Sequence, residues 1–172
     1  MNILPSTKDI FFLILIYFLL LPISANAFPG KVVSITDGDT VKILRTDTHI
    51  QVKIRLAGID TPEKKQAFGQ KAKKFTASLI ANRVVEVKPI TKDRYGRTVG
   101  YIYCDGEDVN LEIVKAGYAW VYRRYAPKPK SKADKYFKCE SQAKNRKLGL
   151  WADPHPVPPW EWRKARRNHR KK

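Results

Sequence analysis

Apolar and polar residues alternate through five short stretches of the chain: 31–36 (KVVSIT), 40–45 (TVKILR), 49–56 (HIQVKIRL), 83–90 (RVVEVKPI) and 98–104 (TVGYIYC). A two-residue period enriched in Val, Ile, Thr and Tyr predicts strands. Turn-forming residues separate them: Asp37-Gly38-Asp39, then Arg45-Thr46-Asp47-Thr48, then Asp93-Arg94-Tyr95-Gly96-Arg97. Three other segments change to helical period. Ala72, Phe75, Leu79 and Ile80 share a face in 67–82, Val109, Ile113 and Val114 share one in 108–117, and Ala133, Tyr136, Phe137, Glu140 and Ala143 line up in 131–147. Three strands precede the first helix, and strands then mix with helices. That order predicts an α+β arrangement around a small antiparallel barrel, not the βαβ units of a parallel sheet.

Both ends break the pattern. Residues 10–21 are unbroken apolar sequence, followed by Pro22 and by Ala25-Asn26-Ala27 before Phe28. A helix of that length rises about 18 Å, short of a hydrocarbon core of roughly 30 Å. The segment therefore predicts a signal peptide, 1–27, and an exported protein, periplasmic or extracellular. At the other end, Pro154, Pro156, Pro158 and Pro159 precede Trp160-Glu161-Trp162 and a final decapeptide with seven Lys or Arg. Such proline density predicts an extended surface segment without helix over 152–172. In it, Trp160 and Trp162 either stack on bases beside the basic run or pin the tail to the barrel with 163–172 disordered. One domain, 28–151, is left between signal peptide and tail.

Charge narrows the partners. In 172 residues, 34 Lys and Arg stand against 16 Asp and Glu, a net +18, with two Cys, 11 Pro and 9 Gly. This composition excludes a collagen, a coiled coil, a disordered polyampholyte and a disulfide-dense miniprotein. The leader carries one Lys and one Asp, so the charge belongs to the exported part. A positive field of that size attracts polyanions, nucleic acid or an anionic membrane surface. Export would place Cys104 and Cys139 where a disulfide persists, yet two buried thiols fit the sequence as well. Those cysteines and His49, His155 and His169 show no zinc-ligand spacing.

Candidate chemistry sits in three segments at strand ends: Asp37 to Thr40 (DGDT), Arg55 to Glu63 (RLAGIDTPE) and Asp93 to Arg97 (DRYGR). Alone, the first reads as a tight turn and the second ends as a proline bend. Together, Asp39 and Asp60 with a loop carbonyl make an all-oxygen site suited to a hard cation such as Ca²⁺. Glu63 offers a carboxylate to orient or deprotonate water, and Arg55 and Arg97 offer bidentate forks for phosphate oxygens. Arg55 stands inside an apolar strand pattern, where a charge needs a partner or a task.

The order DGDTVK, IRLAGIDTPE, a helix, DRYGRTVGYIY, DGEDVN and VKAGYAWVYRRY, with LGLW after the last helix, resembles the thermonuclease family of staphylococcal-nuclease-like secreted nucleases over residues 31 to 151. The resemblance implies a five-stranded OB-fold barrel with three helices and a Ca²⁺-dependent endonuclease that hydrolyses DNA and RNA without regard to the sugar. It implies one Ca²⁺ on Asp39, Asp60 and the Thr61 backbone carbonyl, Glu63 as general base or water-orienter, and Arg55 and Arg97 on the phosphate. Tyr95 and Tyr125 fall on aromatics flanking the nucleotide, with Arg94 beside them as a substrate contact. A monomer without a stable protein partner, and away from the membrane once the leader is cleaved, is the expectation. The sequence also departs from the pattern. Lys64 to Gly69 is short, Arg123 stands where a tyrosine is expected, and the cysteines and tail lie outside the family core. The alternative is a non-catalytic OB-fold module that binds nucleic acid through Tyr95, Trp160 and a basic groove. Binding alone would not call for three carboxylates beside a phosphate that they repel.

Overall fold

A computed structural model describes residues 27–169. The predicted leader up to Asn26 lies outside the described residues, as do the last three residues. Strands β1 (Phe28–Asp37), β2 (Thr40–Arg45), β3 (Gln51–Leu56), β5 (Val84–Lys92) and β6 (Thr98–Cys104) form the sheet order β3-β2-β1-β5-β6, and β3 pairs with β6 to close it. The four pairings along that order are antiparallel, but the closing pair is parallel, with Ile54 opposite Thr98 and Arg55 opposite Val99. The expected antiparallel barrel therefore closes through one parallel pair, because strand direction cannot alternate around a ring of odd number. Val41, Ile43, Ile54, Val87 and Ile102 alternate inward and are fully buried, as the two-residue period requires.

Two short pairings escaped sequence analysis because two residues are too few to show a period. β7 (Glu107–Asp108) extends the sheet from β6, and β4 (Ile59–Asp60) pairs with β8 (Trp120–Val121), which sets Asp60 opposite Trp120. Three helices match the expected segments: α1 (Gly69–Ile80), α2 (Val109–Lys115) and α3 (Lys130–Asn145). Asp108 caps α2 by accepting from the Leu111 N–H at 3.2 Å, and the buried Tyr136 hydroxyl of α3 donates to the same carboxylate at 2.8 Å. Glu140, buried on the inward face of α3, accepts from the Val121 N–H at 2.9 Å and so holds β8.

Another helix among the described residues, α4 (Pro159–His169), corrects the expectation of an extended, helix-free segment after Ala152. The prolines end where it begins. Pro159 takes the first helical position, where its missing N–H has no role, and the Pro158 carbonyl accepts from the Glu161 and Trp162 N–H groups at 3.1 Å. Trp160 pins the segment as one of the two readings had it, stacked on Tyr122 at 5.6 Å and edge-on to Trp120 at 6.4 Å. Cys104 and Cys139 are both buried and unpaired, so the disulfide is not formed; each fills the core as a small apolar group. No helix among the described residues is long and apolar enough to cross a membrane.

Candidate active site

The site is built at the β1–β2 turn and the loop after β4. Asp37 pairs with Thr40 across the turn, and Gly38 between them leaves no room for a side chain: a Cβ there would stand 2.8 Å from the Thr61 hydroxyl. The Thr76 hydroxyl of α1 donates to the Gly38 carbonyl at 2.7 Å and fixes the turn from below. Asp39 emerges buried. Its Oδ2 accepts from the Thr61 N–H at 2.8 Å and the Thr61 hydroxyl at 3.0 Å, and its Oδ1 from the Thr40 hydroxyl at 3.1 Å.

Arg55 joins the two carboxylates of the predicted cation site. Thr40 lies opposite Arg55 in the β2–β3 register, so the residue before Thr40 faces the guanidinium. Its Nη1 pairs with Asp39 Oδ2 at 2.9 Å and its Nη2 with Asp60 Oδ1 at 2.8 Å, while Nη1 also donates to the Leu56 carbonyl at 3.1 Å. Such a fork answers the question the sequence raised about a charge in an apolar strand: its partners are two buried carboxylates. Burial, the strongest influence, raises the proton affinity of Asp60; Arg163 opposes this and the charge of Asp39 adds to it.

Glu63 follows in a loop held by its own backbone. The Glu63 N–H donates to Gln66 Oε1 at 3.0 Å, and the Gln66 N–H returns to the Glu63 carbonyl at 2.8 Å. The Glu63 side chain is bound by a residue of the basic C-terminal segment, where no helix is expected from the sequence. Arg163 of α4 donates from Nη1 to Glu63 Oε1 at 2.7 Å and to Asp60 Oδ1 at 3.3 Å, and from Nη2 to Asp60 Oδ2 at 2.8 Å. Burial works against the charged guanidinium, but its bonds to Asp60 and Glu63 outweigh that and raise its pKa. The basic run concealed Arg163 among six similar charges. Its three-residue spacing from Trp160 was the available signal, and it becomes visible only once 160–163 is read as helix.

Asp37 is a second residue missed as a site member. Burial first, and then the neighbouring charge of Asp39, push its carboxyl up to about 7. The charge of Asp39 therefore bears on both Asp37 and Asp60. Among the described residues no group of three or more His, Cys, Asp or Glu is arranged to hold a metal ion. The predicted set needs only two carboxylates and one main-chain carbonyl, all oxygen, and a hard cation completes its shell with water. The donor chemistry and the mutual repulsion of the carboxylates both fit such an ion. The burial of Asp37, with the charge of Asp39 beside it, also sets a pH dependence. The native state binds the Asp37 proton more tightly than the unfolded chain, so stability present below pH 3.8 is lost as pH rises to about 7. In chelator, the wild type should lose about 2 kcal/mol of urea-unfolding free energy between about pH 5 and pH 8 beyond any loss in Asp37→Asn, a figure discounted for partial exposure. Equal losses in both proteins would dissociate Asp37 from the effect.

The remaining predicted residues gather in two further places. Arg97 pairs through Nε with Asp93 at 2.7 Å, lowering the Asp93 pKa against the effect of burial, and Asp93 also accepts from the Tyr95 and Arg97 N–H groups. The guanidinium groups of Arg94 and Arg97 lie over the Tyr95 ring, 5.1 and 5.6 Å from its centroid, and Tyr95 is 69% exposed. The parallel β3–β6 register brings this hairpin alongside Arg55, but among the described residues no hydrogen bond or ion pair joins Arg97 to Arg55, Asp60 or Glu63. Tyr125 is exposed in the turn Arg123–Tyr125 and packs edge-on to Tyr122, while Arg123 lies over the Phe137 ring at 4.9 Å.

Residues 53–153, which carry Arg55, Asp60, Glu63 and Arg97, match the family model described as staphylococcal nuclease homologue. The chain belongs to the staphylococcal nuclease homologue family. A Haemophilus influenzae member named as an uncharacterized endonuclease is 41% identical over 152 residues, 88% of this chain and 82% of its own. Micrococcal nuclease of Shigella flexneri is 39% identical over 150 residues, 82% of this chain and 83% of its own. Staphylococcal-like nuclease CAN1 of Arabidopsis thaliana is 41% identical over 115 residues, 67% of this chain and 34% of that protein. The five-stranded barrel expected from the family resemblance is present, with four α-helices among the described residues instead of three. Both Asp37 and Arg163 widen the site beyond the residues taken from the family pattern.

Proposed function

We propose that the chain is an exported endonuclease that hydrolyses phosphodiester bonds of DNA and RNA, with Ca²⁺ as its ion. The single observation that carries this reading is the buried Asp39–Arg55–Asp60 bridge with Glu63 tied to it through Arg163. Names of relatives agree: micrococcal nuclease in Shigella flexneri and staphylococcal-like nuclease in Arabidopsis thaliana. Asp39, Asp60 and the Thr61 carbonyl would hold the ion. When bound, it supplies Lewis-acid charge to a phosphate oxygen.

The chain's own residues have the remaining tasks. Arg55 and Arg97 present planar forks to phosphate oxygens as negative charge develops in the transition state. Glu63 orients the attacking water or takes its proton. Exposed Tyr95 and Tyr125 offer sequence-tolerant faces to flanking bases, and Arg94 adds a backbone contact, consistent with a substrate read by charge and stacking. The net +18 gathers the polyanion at long range and makes its affinity salt-dependent. Nothing in this arrangement calls for a protein partner, and the reading is of a monomer acting in the periplasm or outside the cell.

The test is cleavage of a single-stranded oligonucleotide by residues 28–172 in millimolar Ca²⁺ and in matched buffer with chelator. Cleavage in Ca²⁺ alone is expected. Binding without cleavage in Ca²⁺ and in other divalent ions would establish the non-catalytic binding module instead.

A further inference from the structure

We propose that Arg163, delivered by the C-terminal helix, is a positioning residue for the reaction: it sets the Glu63 carboxylate at a fixed place relative to Asp60. The inference rests on the nuclease reading and deepens it. One planar guanidinium contacts two carboxylates from separate segments, at 2.7 Å to Glu63 Oε1 and at 2.8 and 3.3 Å to the two oxygens of Asp60. Among the described residues Arg163 is the hydrogen-bond donor to the Glu63 carboxylate. A carboxylate 37% exposed on a loop would otherwise sample several rotamers, and water placement by Glu63 needs one of them.

The anchors of α4 argue for positioning as against casual contact. The Gln66 side-chain amide donates to the Val157 carbonyl at 2.5 Å, and Gln66 belongs to the same loop as Glu63. Trp160 stacks on Tyr122 and meets Trp120 edge-on, and Trp120 is the strand partner of Asp60. Pro159 is buried between these anchors. The tail is thus fixed to the two segments whose carboxylates Arg163 joins. Arg163 itself is 40% exposed, which leaves the side of the pair facing solvent open to substrate. Lys164, Arg166 and Arg167 on the same helix are exposed and make no ion pair among the described residues, so only Arg163 separates geometry from bulk charge.

The experiment compares the wild-type mature chain with Arg163→Ala, Arg163→Lys and Lys164→Ala on a single-stranded oligonucleotide in Ca²⁺, with kcat, KM, thermal melting and calorimetric Ca²⁺ affinity measured on each. Arg163→Ala should lower kcat about 100-fold, the scale of a displaced catalytic group, with KM and Ca²⁺ affinity within about threefold of wild type. Arg163→Lys should also lose at least about tenfold in kcat because an ammonium cannot span both carboxylates. Lys164→Ala should keep the wild-type kcat, and millimolar guanidinium should restore part of the Arg163→Ala rate. If Arg163→Ala fails to melt cooperatively, Arg163→Lys carries the test. Wild-type kcat in Arg163→Lys and in a folded Arg163→Ala overturns the proposal, as does a loss confined to KM and shared with Lys164→Ala. Tighter Ca²⁺ binding with undiminished kcat overturns it too, since Arg163 would then be an internal counter-ion competing with the metal. A wild-type chain that binds the oligonucleotide and never cleaves it refutes the nuclease reading itself, a result distinct from wild-type cleavage with unaffected variants.

Discussion

Glu63→Gln is expected to lower kcat on single-stranded DNA by about 1,000-fold in Ca²⁺, the range of a lost general base that also places its water. The fold should survive. Glu63 is 37% exposed, its backbone bonds to Gln66 do not involve the carboxylate, and Gln can still accept from Arg163 through its amide oxygen. Oligonucleotide binding should hold or tighten slightly, because one negative charge leaves a surface that must meet phosphate. Melting temperature, oligonucleotide affinity and single-turnover rate separate these effects. A single-turnover rate near wild type would remove Glu63 from the chemical step, whatever its contact with Arg163.

The site was legible where chemistry depends on residue type and order. Asp39, Asp60 and Arg55 were singled out as carboxylates and a fork at strand ends, and the β2–β3 register with the β4–β8 pair brings all three into contact. A charge inside an apolar strand pattern was the strongest local clue, since burial forces such a group to find partners. Connections made by tertiary packing stayed hidden. The parallel closure of β3 on β6 follows from the count of strands around a ring, which no local period records. Asp37 read as turn chemistry because its raised pKa arises from burial and from Asp39, which only the closed turn provides. Arg163 is hidden by proline density. Four prolines argue against helix only where they stand in its interior, whereas a proline at the first helical position leaves the ten residues after it free to wind. That winding places an arginine 100 residues away in sequence against Glu63.

Arg55→Ala should destabilise the chelated protein by about 3–5 kcal/mol, the cost of breaking a buried ion pair and leaving its partners unpaired. The side chain is 15% exposed, and Asp39 and Asp60 are 8% and 2% exposed. Without the guanidinium, two carboxylates that already repel each other keep as hydrogen-bond donors, among the described residues, Thr40 and Thr61 on one side and Arg163 on the other. Arg163 reaches Asp60 but not Asp39, so it cannot replace the bridge. Arg55→Ala combined with Asp60→Asn should therefore recover at least about half of the loss, because the second change removes the charge that the first left uncompensated. Urea unfolding of the four proteins of this cycle measures the coupling. A loss below about 1 kcal/mol in Arg55→Ala, or a double variant no more stable than the single, would mean that solvent already screens the pair as it does at a surface. The expected coupling would also explain why an arginine proposed to meet phosphate lies inside the barrel wall. Without substrate it neutralises the two carboxylates proposed to hold the cation, and a site made of mutually repelling acids can then fold around it.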